Sequence, residues 1–389
     1  MPSRWNQALG ALALVLFALL VLRTAGALAR APETNWDMLP AMALALEWEE
    51  QDPLELHRRT YAAARAELPP PVFAELTAAG VRQARFRDPL AFHEHLPFYR
   101  ARVLYSLSVY ALHRLGAPLS AATYQVSIAS FVACALLFLL WARRHLPLPA
   151  AALFALGLAH LPALLNQAGT SSADALATLL LCAAGYLLLE RRSWRGAAVL
   201  TLASLGARPD GVILIALLAA GLFALQPREE RPPARALAVW VALGALLYLG
   251  LTRHAGEYGW WPLIQISFVE KAVHPAQLPT AVDWGAYGAI LARQVASLPG
   301  EGYVTTGGGE VTGSTLAFLF AAVAALLVVE AWPRARDARR HAALLAALLA
   351  TYLVRFALFP QLWDRFLAPF YALVPLCALA LWRRRTSAA

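Results

Sequence analysis

Long apolar runs separated by short basic loops make up most of this chain. The runs are rich in Leu and Ala and span roughly 17–22 residues each, the helical length that crosses about 30 Å of hydrocarbon. These continuous runs of Leu and Ala are typical of helices and lack the alternating pattern of strands. A helical bundle is therefore predicted, and a transmembrane barrel is rejected. The sequence predicts an all-α polytopic membrane bundle with about ten transmembrane helices.

Two polar segments interrupt this pattern, at residues 30–102 and 252–313, within a single membrane domain of residues 1–389. In the first, helices are predicted over residues 38–47, from Asp52 onward and over residues 72–79. Such short helices are expected to be amphipathic and to lie along the membrane surface. The apolar stretch that follows is short and contains Arg102, so we interpret it as a short or partly re-entrant helix.

Basic residues cluster in the short loops and predict the orientation of the chain. With the Arg-rich loops in the cytoplasm, both termini are inside and the two long polar segments are outside. Topology thus accounts for the net charge of +9, and no nucleic-acid partner is expected. The first apolar run also resembles a signal peptide ending near Ala27 and Ala29, but we favour a retained helix. The basic loops are Arg143-Arg144, Arg191-Arg192, 228–235, 334–340 and 383–385.

Composition adds little evidence for a metal or a redox site. With 60% hydrophobic and 15% charged residues, the chain is unlike a soluble globular protein. Its three cysteines lie within apolar runs and are predicted to be free core thiols. His93 and His95 could bind a metal, but no third ligand has the expected spacing, so a divalent metal is not required. The glycine-rich run at 300–310 lacks the Lys-Ser/Thr ending of a phosphate loop and is predicted to be a flexible outer loop.

Asp37 and Asp174 are the carboxylates best placed for chemistry. Asp37 follows the first helix, next to Trp36, where it could deprotonate an acceptor hydroxyl. It could equally serve as a helix N-cap. Asp174 begins an apolar run after a short polar turn, so it too is either a cap or the second carboxylate of one cleft.

Several basic and acidic residues lie where apolar runs meet. Arg208 and Asp210 divide two such runs, and Asp364 and Arg365 precede another. Ionisable groups at such depth are costly and tend to be functional or paired, although a hairpin turn with an internal ion pair is the simpler reading. The planar guanidinium of an arginine can bind two oxygens of a lipid phosphate at once. His95, Arg100 and Arg102 form a basic group that predicts either interface or phosphate contacts or a solvated loop.

Five elements in this order resemble those of the GT-C glycosyltransferases, integral-membrane enzymes that take sugars from polyprenyl-phosphate donors. The resemblance is to bacterial protein-mannosyltransferase-like members, although Val103 replaces an expected proline and the first loop has one aspartate rather than an acidic pair. The elements are Asn35-Trp36-Asp37, Phe98-Tyr99-Arg100-Ala101-Arg102, Ser172-Ala173-Asp174, Arg208-Pro209-Asp210 and Asp364-Arg365-Phe366.

The resemblance implies roles for these residues. Asp37 would be the general base or would orient the acceptor, and Asp174 would be a second acid of the site. The expected partners are a polyprenyl-phosphate sugar, a lipid, glycan or protein acceptor, and membrane lipids, at the outer face of a bacterial inner membrane. The donor phosphate would be bound by Arg365, Arg208, Arg100 and Arg102, and other substrate contacts would come from Trp36, Tyr99, His95 and Asp364.

Two other functions fit the same pattern. Charges within the membrane could line the path of a transporter or flippase for a lipid-linked or small solute. No inverted repeat, which would favour that function, is evident in the sequence. The chain could also be a catalytically silent scaffold that keeps the fold.

Overall fold

The computed structural model describes residues 4–256, 258–297, 303–304, 310–311, 338–361 and 364–386. Their regular secondary structure is helical, apart from one antiparallel pairing of two-residue strands, β1 (Tyr303–Val304) and β2 (Glu310–Val311). The helices before the second long polar segment are α1 (Arg4–Arg30), α2 (Met38–Leu46), α3 (Pro53–Glu67), α4 (Pro70–Thr77), α5 (Gly80–Arg87), α6 (Pro89–His93), α7 (Pro97–Arg100), α8 (Val103–Arg114), α9 (Leu119–Ala142), α10 (Leu148–Ala159), α11 (Pro162–Gly169), α12 (Asp174–Leu189), α13 (Trp194–Leu205), α14 (Val212–Leu225) and α15 (Ala234–Ala255). They are followed by α16 (Trp260–Phe268), α17 (Trp284–Ser297), α18 (Ala338–Leu358) and α19 (Asp364–Thr386), with 3-10 turns at Pro209–Gly211 and Pro275–Gln277.

Five of these helices are long and apolar enough to cross a membrane, which confirms a helical membrane protein. A sixth span results if α10 and α11, bent by 63°, count as one. The predicted count of about ten is not confirmed over the described residues. The reason is length: α12, α13 and α14 have 16, 12 and 14 residues, or about 18–24 Å of helix against about 30 Å of hydrocarbon. The five spans are Trp5–Arg30, Leu119–Ala142, Ala234–Ala255, Arg339–Leu358 and Arg365–Arg383.

The main core lies among the apolar helices. Trp141, Phe138 and Phe370 are fully buried there, and many of their neighbours are alanines. Lipid tails are as apolar as these side chains, so close van der Waals packing rather than the hydrophobic effect stabilises such a bundle. All three cysteines are buried in the core and unpaired, as predicted.

The first polar segment folds around its own core. Every residue of α2 is buried, so the prediction of an amphipathic surface helix is wrong for α2. All residues of α2 are apolar, so the helix has no polar face to turn towards water. The next helix, α3, is amphipathic and buries Leu56 and Tyr61; Asp52 caps it by accepting from the Glu55 N–H at 2.9 Å.

The two long polar segments pack against each other at one end of the bundle. Arg100 Nη1 donates to the Ala255 carbonyl at 3.0 Å, and Arg85 Nη2 donates to the Ala272 carbonyl at 3.3 Å. In the second segment, Trp261 belongs to a small separate core shared by α16 and α17. The predicted glycine-rich loop lies mostly outside the described residues.

Backbone contacts bring distant helix ends together beside these segments. The Glu33 N–H donates to the Gly169 carbonyl at 3.0 Å, which ties the end of α1 to the end of α11. The Leu104 N–H donates to the Gly206 carbonyl at 2.7 Å, which ties the start of α8 to the end of α13. A Cβ atom on Gly206 would lie 3.0 Å from the Leu104 Cβ, so this approach favours glycine.

Candidate active site

Acidic and basic side chains from distant parts of the chain meet where the helices reach the polar segments. Asp37 precedes α2, Asp174 begins α12, and Arg365 lies in the first turn of α19. Arg365 Nη1 is 3.8 Å from Asp37 Oδ2, and Arg365 Nε is 3.5 Å from Asp174 Oδ2. One arginine therefore bridges the two carboxylates singled out in the sequence.

The same network continues through the turn between α13 and α14. Arg208 Nη1 donates to Asp174 Oδ1. Its Nε and Nη2 donate to Asp210 at 3.1 and 3.2 Å, which is the internal ion pair expected of this turn. Arg355 Nε, from α18, lies 3.0 Å from Asp210 Oδ2. Positive and negative groups thus alternate from Asp37 to Arg355.

The Phe366 ring lies against the arginines of this network. The guanidinium carbons of Arg355, Arg208 and Arg365 are 3.8, 4.2 and 5.3 Å from its centroid. The face of an aromatic ring attracts such cations, so Phe366 helps to hold three like charges in one place.

Asp37 does not act as a helix cap. Although it occupies the N-cap position of α2, its side chain makes no capping hydrogen bond. The Tyr99 hydroxyl donates to Asp37 Oδ1 at 2.8 Å instead. Burial and the adjacent Asp37 carboxylate raise the pKa of Tyr99, so this hydroxyl stays protonated and remains a donor.

Arg102 adds a positive charge to the network. Its guanidinium carbon lies 4.8 Å from the Tyr99 ring centroid, and its charge acts through space on Asp174 and Asp210. The set then holds three carboxylates (Asp37, Asp174, Asp210) and four arginines (Arg102, Arg208, Arg355, Arg365), an excess of one positive charge. Such a balance suits an anionic ligand.

Buried hydroxyl and amide groups fix the turn that carries Asp174. Thr123 Oγ1 and Ser171 Oγ are hydrogen-bonded at 2.8 Å, and Ser127 Oγ donates to the Ser172 carbonyl at 3.0 Å. Gln167 Nε2 donates to the carbonyl of Arg365. The side chain of Asp174 therefore extends from a rigid turn that is joined to α9 and α19.

Trp36 and His95 form an aromatic wall beside Asp37. Their ring centroids are 5.0 Å apart, and the Arg85 guanidinium carbon is 4.8 Å from the Trp36 ring. Burial, together with the Arg85 charge, lowers the pKa of His95 well below its usual value. His95 is therefore neutral at physiological pH.

Two of the predicted site residues are not part of the network as described. Arg100 pairs with Glu47, its Nη2 lying 2.6 Å from Oε1, and so joins α7 to the end of α2. Asp364 begins α19, but its side chain lies outside the described part of the structure. The other eight predicted site residues lie in the network or against it: Asp37, Asp174, Arg365, Arg208, Arg102, Trp36, Tyr99 and His95.

A cavity opens beside the network, with about 490 Å³ of space that is partly open to solvent. Asp174, Arg208, Arg355 and Arg365 line it. Leu181, Leu214 and Leu348 line both this cavity and a second one of about 270 Å³, which has no charged residue in its lining. A cavity lined in part by charged side chains thus adjoins one without them.

Three residues of the site were missed in the sequence. Arg355 lies inside an apolar helix, and the rarity of such residues is a signal that could have identified it. Phe366 belongs to the Asp364-Arg365-Phe366 element but is not among the predicted site residues, and Gln167 gives no local signal. Among the residues that the structure describes, no group of three or more His, Cys, Asp and Glu side chains is placed to hold a metal ion.

No protein-family model, curated protein or solved structure matches this chain.

Proposed function

We propose that this protein is a membrane glycosyltransferase that moves a sugar from a polyprenyl-phosphate donor to a lipid, glycan or protein acceptor. The observation that carries the proposal is the network from Asp37 to Arg355, which has an excess positive charge and lies beside an apolar cavity. The motif resemblance to GT-C glycosyltransferases supports the same reaction.

The donor is anionic at its phosphate and apolar along its lipid. We assign the phosphate to Arg365, Arg208 and Arg102, because a guanidinium can donate two hydrogen bonds to one phosphate. The polyprenyl chain would lie along the apolar side of the cavity, near Leu181 and Leu214. No metal is needed for this step, since the arginines supply the positive charge.

Asp37 is assigned as the general base. Its side chain is 22% exposed, so an acceptor can approach it. The acceptor oxygen attacks the anomeric carbon as its proton passes to the Asp37 carboxylate. The bond between the anomeric carbon and the phosphate oxygen breaks, and its electron pair leaves with the polyprenyl phosphate. Tyr99 holds Asp37 Oδ1, which leaves Oδ2 to accept the proton.

Transport of a polar solute is less well supported. The charged groups beside the cavity are paired with one another, and the adjoining apolar cavity has a lining of aliphatic side chains with Thr201. A path for a polar solute would need polar groups further into the bundle.

We extend the proposal to the outer face of a bacterial inner membrane, with about ten crossings. Ten crossings result if the bent pair α10–α11 and the short helices α12, α13 and α14 each cross in addition to the five long spans, and if the apolar sequence within 312–337, outside the described residues, supplies the tenth. The basic loops then lie opposite the network, as positive-inside topology requires.

The test is a sugar-transfer assay with the purified full-length protein in proteoliposomes and a panel of polyprenyl-phosphate sugars. One donor should give sugar transfer and an equal amount of polyprenyl phosphate. If no donor is used while the same vesicles move a lipid-linked or small solute across the bilayer, the protein is a transporter. If neither activity appears in folded protein, the proposed function is wrong.

A further inference from the structure

A third cavity lies at the other end of α13 from the network, between the first halves of α13 and α15. It is an open groove with about 870 Å³ of space. Apolar side chains form its floor and walls, and Val199 and Val239 in it are 64% and 58% exposed. Since α15 is a candidate membrane span, we expect its side of the groove to face hydrocarbon in the membrane.

Two arginines stand at one end of this groove. Arg195 and Arg235 are each the second residue of their helices, are exposed, and both line the groove. Neither has a carboxylate partner among the described residues. The unpaired N–H groups of a helix start add to the positive potential there. The groove is therefore apolar along its length and cationic at one end.

Two tryptophans add to the lining of the groove. Trp240 is 3% exposed and forms part of the apolar floor. Trp194 lies at the cationic end, and tryptophan is the residue type enriched at membrane interfaces.

We propose that the groove between α13 and α15 binds one anionic phospholipid, with its phosphate between Arg195 and Arg235 and its acyl chains over Val199 and Val239. The cationic end complements the headgroup, and the apolar length complements the chains. The site is distinct from the network at Asp37, because Arg195 lies at the start of α13 whereas Arg208 follows its end. It does not depend on the proposed sugar transfer.

The test is native mass spectrometry of the full-length protein in detergent, titrated with phosphatidylglycerol or phosphatidylcholine. Phosphatidylglycerol should form a one-to-one complex, and phosphatidylcholine should bind at least about tenfold more weakly. The double variant Arg195→Gln/Arg235→Gln should lose about tenfold or more in affinity for phosphatidylglycerol. The matched control, Arg143→Gln/Arg228→Gln, removes two exposed arginines outside the groove and should bind like the unmodified chain.

A second variant keeps both charges. Val199→Trp fills the groove at an exposed position and should also abolish the complex, whereas inorganic phosphate should not displace the lipid. Equal binding of both lipids, or loss of binding by the control double variant, would overturn the proposal. So would undiminished binding by Val199→Trp or by folded Arg195→Gln/Arg235→Gln, and displacement by phosphate would show an anion site without a lipid site.

Discussion

At the scale of single residues, Asp37 precedes a helix and yet makes no hydrogen bond to that helix through its side chain. Its carboxylate faces Tyr99 and Arg365. The capping alternative from the sequence therefore does not explain why an aspartate stands here. The Tyr99 hydroxyl holds Oδ1 of this carboxylate, and an acceptor can approach Oδ2. This arrangement fits a general base.

The first prediction concerns the charge of Asp37. Asp37→Asn should reduce sugar transfer at least about a hundredfold, because general-base catalysis contributes roughly 10²–10⁴-fold. Folding should be unaffected, since Tyr99 can donate to the amide oxygen and no cap is lost. The measurement is turnover at matched protein levels, with Asp52→Asn as control because asparagine still caps α3. Near-normal turnover of Asp37→Asn would move the base to Asp174.

The second prediction concerns the fork of Arg365. Arg365→Lys keeps the charge but loses the paired N–H groups, so KM for the donor should rise about tenfold. Turnover at a saturating donor concentration should fall by a smaller factor than this rise in KM. Arg114→Lys is the control, because Arg114 is exposed and pairs with Glu49 away from the cavity. An unchanged KM for Arg365→Lys would remove Arg365 from the donor site.

At the scale of helices, α2 is the element that positions Asp37, the residue directly before it. It is buried along its whole length and is followed directly by Glu47, which pairs with Arg100. The position of Asp37 thus depends on the packing of α2 in the core of the first polar segment.

The third prediction tests this packing. Met42→Ala should destabilise the protein by about 2–5 kcal/mol, because it leaves a cavity at a fully buried position. Leu54→Ala, at a position in α3 that is 64% exposed, should change stability by no more than about 0.5 kcal/mol. Thermal unfolding in detergent measures both. Equal melting temperatures for the two variants would mean that α2 is not packed as described.

The fourth prediction concerns pH and His95. Its pKa is lowered in the folded protein by burial and by Arg85, whereas in the unfolded chain it is near 6.5. Below about pH 6.5 the unfolded state therefore binds more protons, and stability falls as the pH falls. Burial also lowers the pKa of His57 and His93, so they contribute with the same sign.

The contribution of His95 is isolated by a variant. On going from pH 7 to pH 5, the melting temperature should fall less in His95→Gln than in the unmodified chain. Equal falls in the two proteins would show that His95 is not buried in its neutral form.

At the scale of the whole molecule, the sequence predicted what local patterns determine. The helix from Pro53 follows from its cap and proline, and the ion pair of Arg208 with Asp210 follows from their spacing. The contacts of Arg365 with Asp37 and Asp174 could be expected only from the resemblance, because they join residues far apart in the chain. The partner of Arg355 depends on packing that no local pattern specifies. The burial of α2, in contrast, could have been predicted from its wholly apolar sequence.

The charge distribution of the whole molecule also predicts which side of the membrane the network faces. The two long polar segments contact each other beside it, while the basic loops lie at the other ends of the helices. By the positive-inside rule we therefore expect the network to face outward. Cysteine labelling can test this directly, because Cys134, Cys182 and Cys377 are buried and should not react.

The last prediction follows from that orientation. Ala79 is exposed in the first polar segment, and Glu229 is exposed in the basic loop between α14 and α15. In intact cells, a membrane-impermeant maleimide should modify Ala79→Cys and leave Glu229→Cys unmodified until the membrane is permeabilised. The unmodified chain is the control for background labelling. The reverse pattern would place the network in the cytoplasm, where both the donor and the acceptor would have to be cytoplasmic molecules, and would contradict transfer at the outer face even if Asp37 remained essential.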